Sequence, residues 1–195
     1  MKRLHCTFAT LLSAGLLVGC TPTTMEPVTI EPSYKLIDLW WAGKDNGIPL
    51  SVTGTPYGMN ADEAAASFAD NMRVPGYAPQ VDIRPRTSED GRSGWSMVLA
   101  FDAPQSASAS DVCSTTRGHS LDSTPTAGEK PQTVFAAFCR NGSRVTSTRA
   151  SLPGEITGAE DPRLQRILQQ VSGALFPRHN PHLDDRDNQG NDWNS

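Results

Sequence analysis

The sequence predicts an α+β fold in which one antiparallel sheet and two helices, packed on one of its faces, form two layers. Several short segments alternate apolar and polar residues, as strands do when one face of a sheet is buried. Two longer segments repeat apolar residues at helical spacing between recognisable start and stop residues. Their positions along the chain give the order β-α-β-β-β-β-α and place a single folded domain at residues 48–177.

The first strand and the first helix of this domain follow each other directly. Apolar residues two positions apart predict a strand over residues 48–53, and Pro49 restricts it to a sheet edge or to the start of the strand. Asn60 and Glu63 have the spacing of a capping box, in which each side chain bonds the backbone of the other residue. An alanine-rich apolar stripe continues this helix until Pro75 stops it.

A hairpin and a long loop are predicted in the middle of the chain. Residues 81–84 and 95–101 both alternate, with a glycine-containing turn between them, so we expect them to pair with each other. The following residues 103–131 are rich in Ser, Thr and Pro and have no apolar period. A stretch of this length without secondary structure is either a functional loop or disordered.

The clearest hairpin follows this loop. Its strands, residues 133–140 and 143–151, are joined by the dipeptide Asn141-Gly142, which tolerates the positive φ angles of a type I′ turn. This two-residue closure places Phe138 opposite Val145 in the predicted register.

The last predicted helix has distinct boundaries. Asp161 is a suitable N-cap, Pro162 suits the first helical position, and an apolar stripe continues to Phe176. Residues 178–195 are polar, so we expect a disordered tail after the helix.

The first twenty residues carry the most informative motif. Lys2 and Arg3 precede an eleven-residue apolar stretch, Phe8–Val18, and the run Leu17-Val18-Gly19-Cys20 closes this segment. This segment resembles the signal peptide and lipobox of bacterial lipoproteins. The resemblance implies removal of residues 1–19, a diacylglyceryl group on Cys20 and acylation of the new amino terminus. The alternatives are a cleaved signal with a chance cysteine, and a membrane helix, for which eleven residues are too few to cross about 30 Å of hydrocarbon.

The lipoprotein interpretation implies a location in the cell envelope. Thr21 stands where an aspartate would signal inner-membrane retention in enterobacteria-like lipoproteins, so the resemblance favours the outer membrane, facing the periplasm. Residues 20–47 would be the lipidated Cys and an extended tether, because prolines within residues 21–33 favour up to about 40 Å of extended backbone. Removing the signal changes the formal charge from −4 to −6, so acyl chains rather than charge would hold the membrane, and no nucleic-acid partner is expected.

Two cysteines remain after processing. Cys6 leaves with the signal and Cys20 carries lipid, so Cys113 and Cys139 are expected to form one disulfide in an oxidising compartment. The alternatives are a reactive thiol and half of a metal site, although the chain has no Cys-x-x-Cys and no histidine within five residues of either cysteine.

No catalytic or cofactor-binding motif is found, and no cofactor is expected. The chain has neither the Gly-x-Ser-x-Gly nucleophile elbow nor a phosphate-binding glycine motif. His119, with Asp111 or Asp122 nearby, is the best candidate for an unrecognised hydrolase site. No metal is expected either, although the tail holds His179 and His182 beside several aspartates, because closing a flexible tail around an ion costs conformational entropy.

Trp40 and Trp41 are the candidate partner-binding residues. Adjacent tryptophans can stack on a sugar or anchor a protein interface, and they can equally pack under a sheet edge. We therefore expect a non-enzymatic, membrane-anchored lipoprotein that binds an envelope protein or glycan, or that has a structural role. The alternative hypotheses are an envelope hydrolase with a site near His119, and a carrier of a small ligand or lipid.

Cys20→Ser should abolish the incorporation of radiolabelled palmitate and release the protein from membranes in a flotation gradient, because the acyl chains provide its attachment. Cys6→Ser is the matched control, since Cys6 lies in the segment that is removed. A Cys20→Ser protein that floats with the membranes as the wild type does would contradict the lipoprotein interpretation.

Overall fold

The computed structural model describes residues 24–54, 56–90, 94–121 and 131–183. These residues form an α+β fold around a six-stranded mixed sheet, so the predicted fold class is confirmed. In chain order the elements are β1 (Thr29–Ile30), α1 (Asp38–Gly43), β2 (Ile48–Thr53), α2 (Ala61–Ala69), β3 (Ile83–Pro85), β4 (Trp95–Phe101), α3 (Ala109–Ser114), β5 (Thr133–Arg140), β6 (Ser143–Ser151) and α4 (Pro162–Leu175). Across the sheet the strands lie in the order β1-β6-β5-β4-β2-β3.

The starts of both predicted helices are confirmed. The Asn60 side chain accepts hydrogen bonds from the backbone N–H groups of Asp62 and Glu63, and the Glu63 carboxylate accepts one from the Asn60 N–H, which is the expected capping box. The Asp161 carboxylate caps α4 by accepting from the Arg163 N–H. Helix α2 ends at Ala69, earlier than the predicted stop.

The β5–β6 hairpin is confirmed, but its predicted register is wrong by one residue. Asn141 and Gly142 both have positive φ angles, as a type I′ turn requires. A bulge beside Phe138 then leaves Val145 without a cross-strand partner, so Phe138 pairs with Thr146 instead. The shift turns Thr146 and Ala150 toward α4. Without the bulge, the alternate residues of β6, which include a charged side chain, would face this helix instead.

The predicted hairpin of residues 81–84 with 95–101 is wrong. Strand β2 lies between β3 and β4 and is parallel to both of them, so the sheet is mixed rather than antiparallel. Ile48, Leu50 and Val52 are buried in the main core, which favours a central position for this strand over an edge. Pro49 is tolerated because it lies at the start of β2, before the pairing with β4 begins.

Helices cover both faces of the sheet rather than one. Helices α2 and α4 bury the main core, in which Phe68, Phe138 and Leu168 are fully buried. A smaller cluster on the other face lies under α3, which contributes Val112 and Cys113. Helix α3 lies inside the segment that we expected to be a structureless loop, and Ser108 and Asp111 form a capping box at its start.

Cys113 and Cys139 form the expected disulfide, with their Cα atoms 5.7 Å apart. The bond joins α3 to β5, and both sulfur-bearing residues are fully buried in the smaller cluster. A six-residue helix has little stability by itself, so the covalent link keeps the second face of the sheet covered.

Both ends of the described chain form hydrogen bonds with the folded domain. Residues 24–31, expected to lie in a tether, run antiparallel along the edge of β6, with bonds from Glu26 N–H to the Arg149 carbonyl and from Ser151 N–H to the Thr24 carbonyl. At the other terminus the buried Asn180 amide donates to the carbonyl of Tyr34 and to two neighbouring carbonyls, so residues 178–183 are not a disordered tail. The predicted lipobox and residues 184–195 lie outside the described residues.

Reducing the Cys113–Cys139 bond should lower the free energy of unfolding by about 3.5 kcal/mol, because the closed 26-residue loop restricts the unfolded chain. Chemical denaturation of the oxidised and the reduced wild-type protein measures this difference. The Cys113→Ala/Cys139→Ala variant should be less stable than oxidised wild type and insensitive to reductant. A reductant effect on that double variant as large as on the wild type would rule out the bond as the cause.

Candidate functional site

Helix α1 presents an exposed apolar face at the end of the sheet where β2 begins. The Asp38 carboxylate accepts from the Lys35 N–H at the start of the helix, and Leu39 is fully buried beneath it. Ile37, Trp40 and Trp41 are 52%, 45% and 53% exposed; we call these three residues the α1 face. An apolar group of this size on a surface is typical of an interaction site.

The two indole rings of the α1 face contact each other. The rings of Trp40 and Trp41 lie edge to face, with their centroids 4.6 Å apart and their planes at 81°. This arrangement is favourable for aromatic pairs because the positive edge of one ring meets the negative face of the other. The contact therefore fixes the orientation of both rings while leaving much of their surface accessible to solvent.

Trp40 also forms one wall of a surface cleft of about 540 Å³, which we call the Trp40 cleft. Three segments supply its lining: residues 40–47 at the end of α1, residues 73–74 after α2, and residues 80–82 before β3. The individual lining residues are Trp40, Gly43, Lys44, Asp45, Asn46, Gly47, Arg73, Val74, Gln80, Val81 and Asp82.

Two glycines allow the segments of the cleft to approach closely. A Cβ atom on Gly43 would lie 2.5 Å from the Cβ of Val81, which is a steric overlap. Gly47 has a φ of +80°, and a Cβ there would lie 2.7 Å from the carbonyl oxygen of Asp82. The loop after α1 can therefore pack against residues 81–82 only with glycine at these positions.

Arg84 of β3 holds the same loop through a hydrogen bond and is itself positioned by a salt bridge. The Arg84 guanidinium donates to the Asn46 carbonyl at 2.6 Å and forms a bidentate pair with the Asp90 carboxylate. The hydrogen bonds from Arg84, together with one from the Thr87 N–H, hold the pKa of Asp90 well below its usual range. Arg84 and Asp90 are thus positioning residues for one wall of the cleft.

The polar lining offers both donors and acceptors and carries no net formal charge. Lys44 and Arg73 balance Asp45 and Asp82, and Lys44 pairs directly with Asp45 at 2.8 Å. The Gln80 amide nitrogen donates to two backbone carbonyls. The side chains of Asn46 and Asp82, and the Gln80 amide oxygen, make no hydrogen bond within the described residues.

The structure places the predicted site residues in different parts of the molecule. Of the two alternatives for Trp40 and Trp41, exposure on the surface is the one observed. His119 is exposed, and the carboxylate of its expected partner Asp111 accepts hydrogen bonds from Ser108; Asp122 lies outside the described residues. Cys20 lies outside them as well.

The histidines near the carboxyl terminus form no metal site within the described residues. His179 and His182 are exposed, and within the described part of the chain no group of three His, Cys, Asp or Glu side chains is arranged to hold a metal ion.

The sequence reasoning missed the polar lining of the Trp40 cleft, because Asn46, Arg73 and Gln80 come from separate segments and form no motif. The flanking Gly43 and Gly47 were the available signal of a close backbone approach.

Comparison with models of known protein families, with curated proteins and with solved structures finds no match to this chain. Across residues 24–54, 56–90, 94–121 and 131–183, no helix has the length and apolar character needed to span a bilayer.

Asp90→Asn should lower the free energy of unfolding by about 1–3 kcal/mol at pH 7, because it removes a charged hydrogen-bonded partner of Arg84. Since folding depresses the pKa of Asp90, its contribution is present above the unfolded value of about 3.9 and is lost as the pH falls toward the lower folded value. The difference between variant and wild type should therefore shrink below pH 4.

Denaturation curves at pH 7 and pH 3 measure this difference. Asp45→Asn is the matched control, because the Lys44–Asp45 pair is exposed and should contribute less than about 0.5 kcal/mol. An Asp90→Asn effect that stays the same at both pH values would contradict the role of the charged pair.

Proposed function

We propose that the protein is a non-enzymatic, lipid-anchored component of the bacterial cell envelope that binds another envelope component through the α1 face. The single observation that carries this proposal is the exposure of Ile37, Trp40 and Trp41 on a short helix that is otherwise anchored by the buried Leu39. Tryptophan is enriched at binding hot spots, because one ring offers a large apolar area at a low cost in conformational entropy.

The path of the chain supports a fixed orientation on the membrane. If Cys20 carries the acyl chains, only Thr21, Pro22 and Thr23 separate it from Thr24, whose carbonyl accepts from the Ser151 N–H. Four residue steps span at most about 14 Å even when fully extended. The end of the sheet at which β6 finishes would therefore lie close to the bilayer.

The α1 face lies at the opposite end of the sheet. Residues 24–31 follow β6 from Ser151 back to Val145, and the chain then continues into α1 and the start of β2. The nine residues of β6 extend over roughly 25 Å. The α1 face would consequently point away from the anchoring membrane, toward components of the periplasm.

The alternative functions have less support. A hydrolase at His119 lacks an oriented third group within the described residues, since Asp111 caps α3 through Ser108. A carrier would need an enclosed cavity between the sheet and the helices, where Phe68, Leu99 and Phe138 instead fill the core and are fully buried. A cleft of about 500 Å³ between β2 and α2 lies at the surface, beside the exposed Asp62 and Ser88. The surface of α1 remains the best-supported site.

A photoreactive amino acid in place of Ile37 should form a cross-linked adduct in intact cells, because this position lies on the α1 face. The same residue at Gln105, which is exposed near the opposite end of the sheet, is the matched control and should give no such adduct. The shift in electrophoretic mobility on an immunoblot measures the adduct.

Combining the Ile37 cross-linker with Trp40→Ala/Trp41→Ala should remove most of the adduct, since the two rings supply most of the apolar area of the site. Equal adducts from positions 37 and 105, or none from position 37, would contradict the proposed binding surface.

A further inference from the structure

We infer that the Trp40 cleft binds an uncharged segment of a glycan chain. This inference rests on the proposed function and names the class of ligand that one part of the α1 face would take. It follows from the combination of an accessible indole wall, a polar wall without net charge, and a rigid backbone between them.

The aromatic wall is suited to the apolar face of a sugar ring. Trp40 lines the cleft while keeping 45% of its surface exposed, so that a flat ligand can reach the indole. The axial C–H bonds of a pyranose carry a small positive charge and are attracted to the negative face of an aromatic ring. Trp41 does not line the cleft; it holds the Trp40 ring through its edge-to-face contact at 4.6 Å.

The polar wall matches the hydroxyl and amide groups of a sugar. Asn46 offers a donor and an acceptor, Asp82 offers acceptors, and the Gln80 amide oxygen is a further acceptor, none of them satisfied within the described residues. A hydroxyl group both donates and accepts, so it can bond to any of these side chains.

The charges of the cleft argue against a strongly ionic ligand. Lys44 and Asp45 neutralise each other at 2.8 Å, and Arg73 is matched by Asp82 on the cleft wall. One nitrogen of Arg73 already donates to the Ala69 and Met72 carbonyls. A phosphate or nucleic-acid ligand would require an excess of positive charge, which this lining lacks.

The size and rigidity of the cleft also fit an extended chain. A volume of about 540 Å³ lies within the range of ~300–1,000 Å³ that is typical of ligand sites. Gly43 and Gly47 allow close packing of its walls, and Arg84 holds the Asn46 carbonyl, so little reorganisation should be needed on binding.

The test uses the full-length acylated protein in detergent, with purified peptidoglycan sacculi in a co-sedimentation assay and soluble chitohexaose in a tryptophan-fluorescence titration. We expect both probes to bind, with an affinity that changes less than twofold between 0.1 and 0.5 M salt, because the cleft has no net charge. Trp40→Ala should weaken binding about tenfold or more, and Trp40→Phe should restore part of it.

Two further variants test whether the glycan binds in the cleft. Asn46→Ala should weaken glycan binding about fivefold, since it removes hydrogen bonds within the cleft. Gln105→Ala should leave it unchanged, because Gln105 is exposed near the opposite end of the sheet and does not line the cleft. Thermal unfolding checks that each variant is folded.

Each outcome decides the inference. Loss of sacculus and chitohexaose binding in Trp40→Ala and Asn46→Ala, with Gln105→Ala unaffected, supports it. No binding of either probe, or binding that survives both cleft substitutions, overturns it. If the electrophoretic mobility of the in-cell adduct at position 37 is then unchanged by a glycan hydrolase, the proposed function stands with a protein partner. If the adduct is also absent, the proposed function fails too.

Discussion

The central constraint on this fold is that β4 and β5 are buried on both of their faces. Met97 and Leu99 face the main core, while Val98 and Ala100 face the smaller cluster, and all four are fully buried. A strand of this kind must be covered on each side, because exposing either face would return apolar area to water at about 25 cal/mol per Å². Helices α2 and α4 cover one face with ordinary amphipathic stripes. Within the described residues, the other face is covered by α3, which its cap and the disulfide hold against β5, and by Ala103, Ala107 and Leu121 from the flanking loops.

The edges of the sheet explain why the amino-terminal segment is not a free tether. Without residues 24–31, β6 would present its unpaired N–H and C=O groups along one side, a surface that invites pairing with another chain. The Thr148 hydroxyl reinforces the cover by donating to the Glu26 carbonyl. If Cys20 is acylated as proposed, the short distance along the chain from Cys20 to Thr24 links lipid anchoring to domain orientation, because a chain fastened at one end of β6 leaves the other end farthest from the bilayer.

The parts of the fold that could be predicted depend on local chemistry. Asn60 and Asp161 mark helix starts through bonds to their own next residues, and Asn141-Gly142 sets a turn through its φ angles. The position of β2 between β3 and β4 depends on contacts between distant segments, so alternation alone favoured the nearer pairing. The bulge at Phe138 was not predicted for a similar reason, because its position depends on which β6 residues pack beneath α4. Helix α3 was visible in principle, because Ser108 and Asp111 have the spacing of a capping box.

The exposure of the tryptophan pair is a geometric consequence of the length of α1. The helix has six residues, and its single fully buried side chain, Leu39, already occupies the direction of the core. Trp40 and Trp41 are the next two residues, turned about 100° and about 200° around the axis from Leu39, and they remain 45% and 53% exposed. Two large rings thus remain half-exposed on this helix, while Gly43 and Gly47 bring a polar wall close to one of them. A surface that serves only as solvent-exposed covering requires neither feature. Their combination at one end of the sheet is the physical basis of the binding site that we propose there.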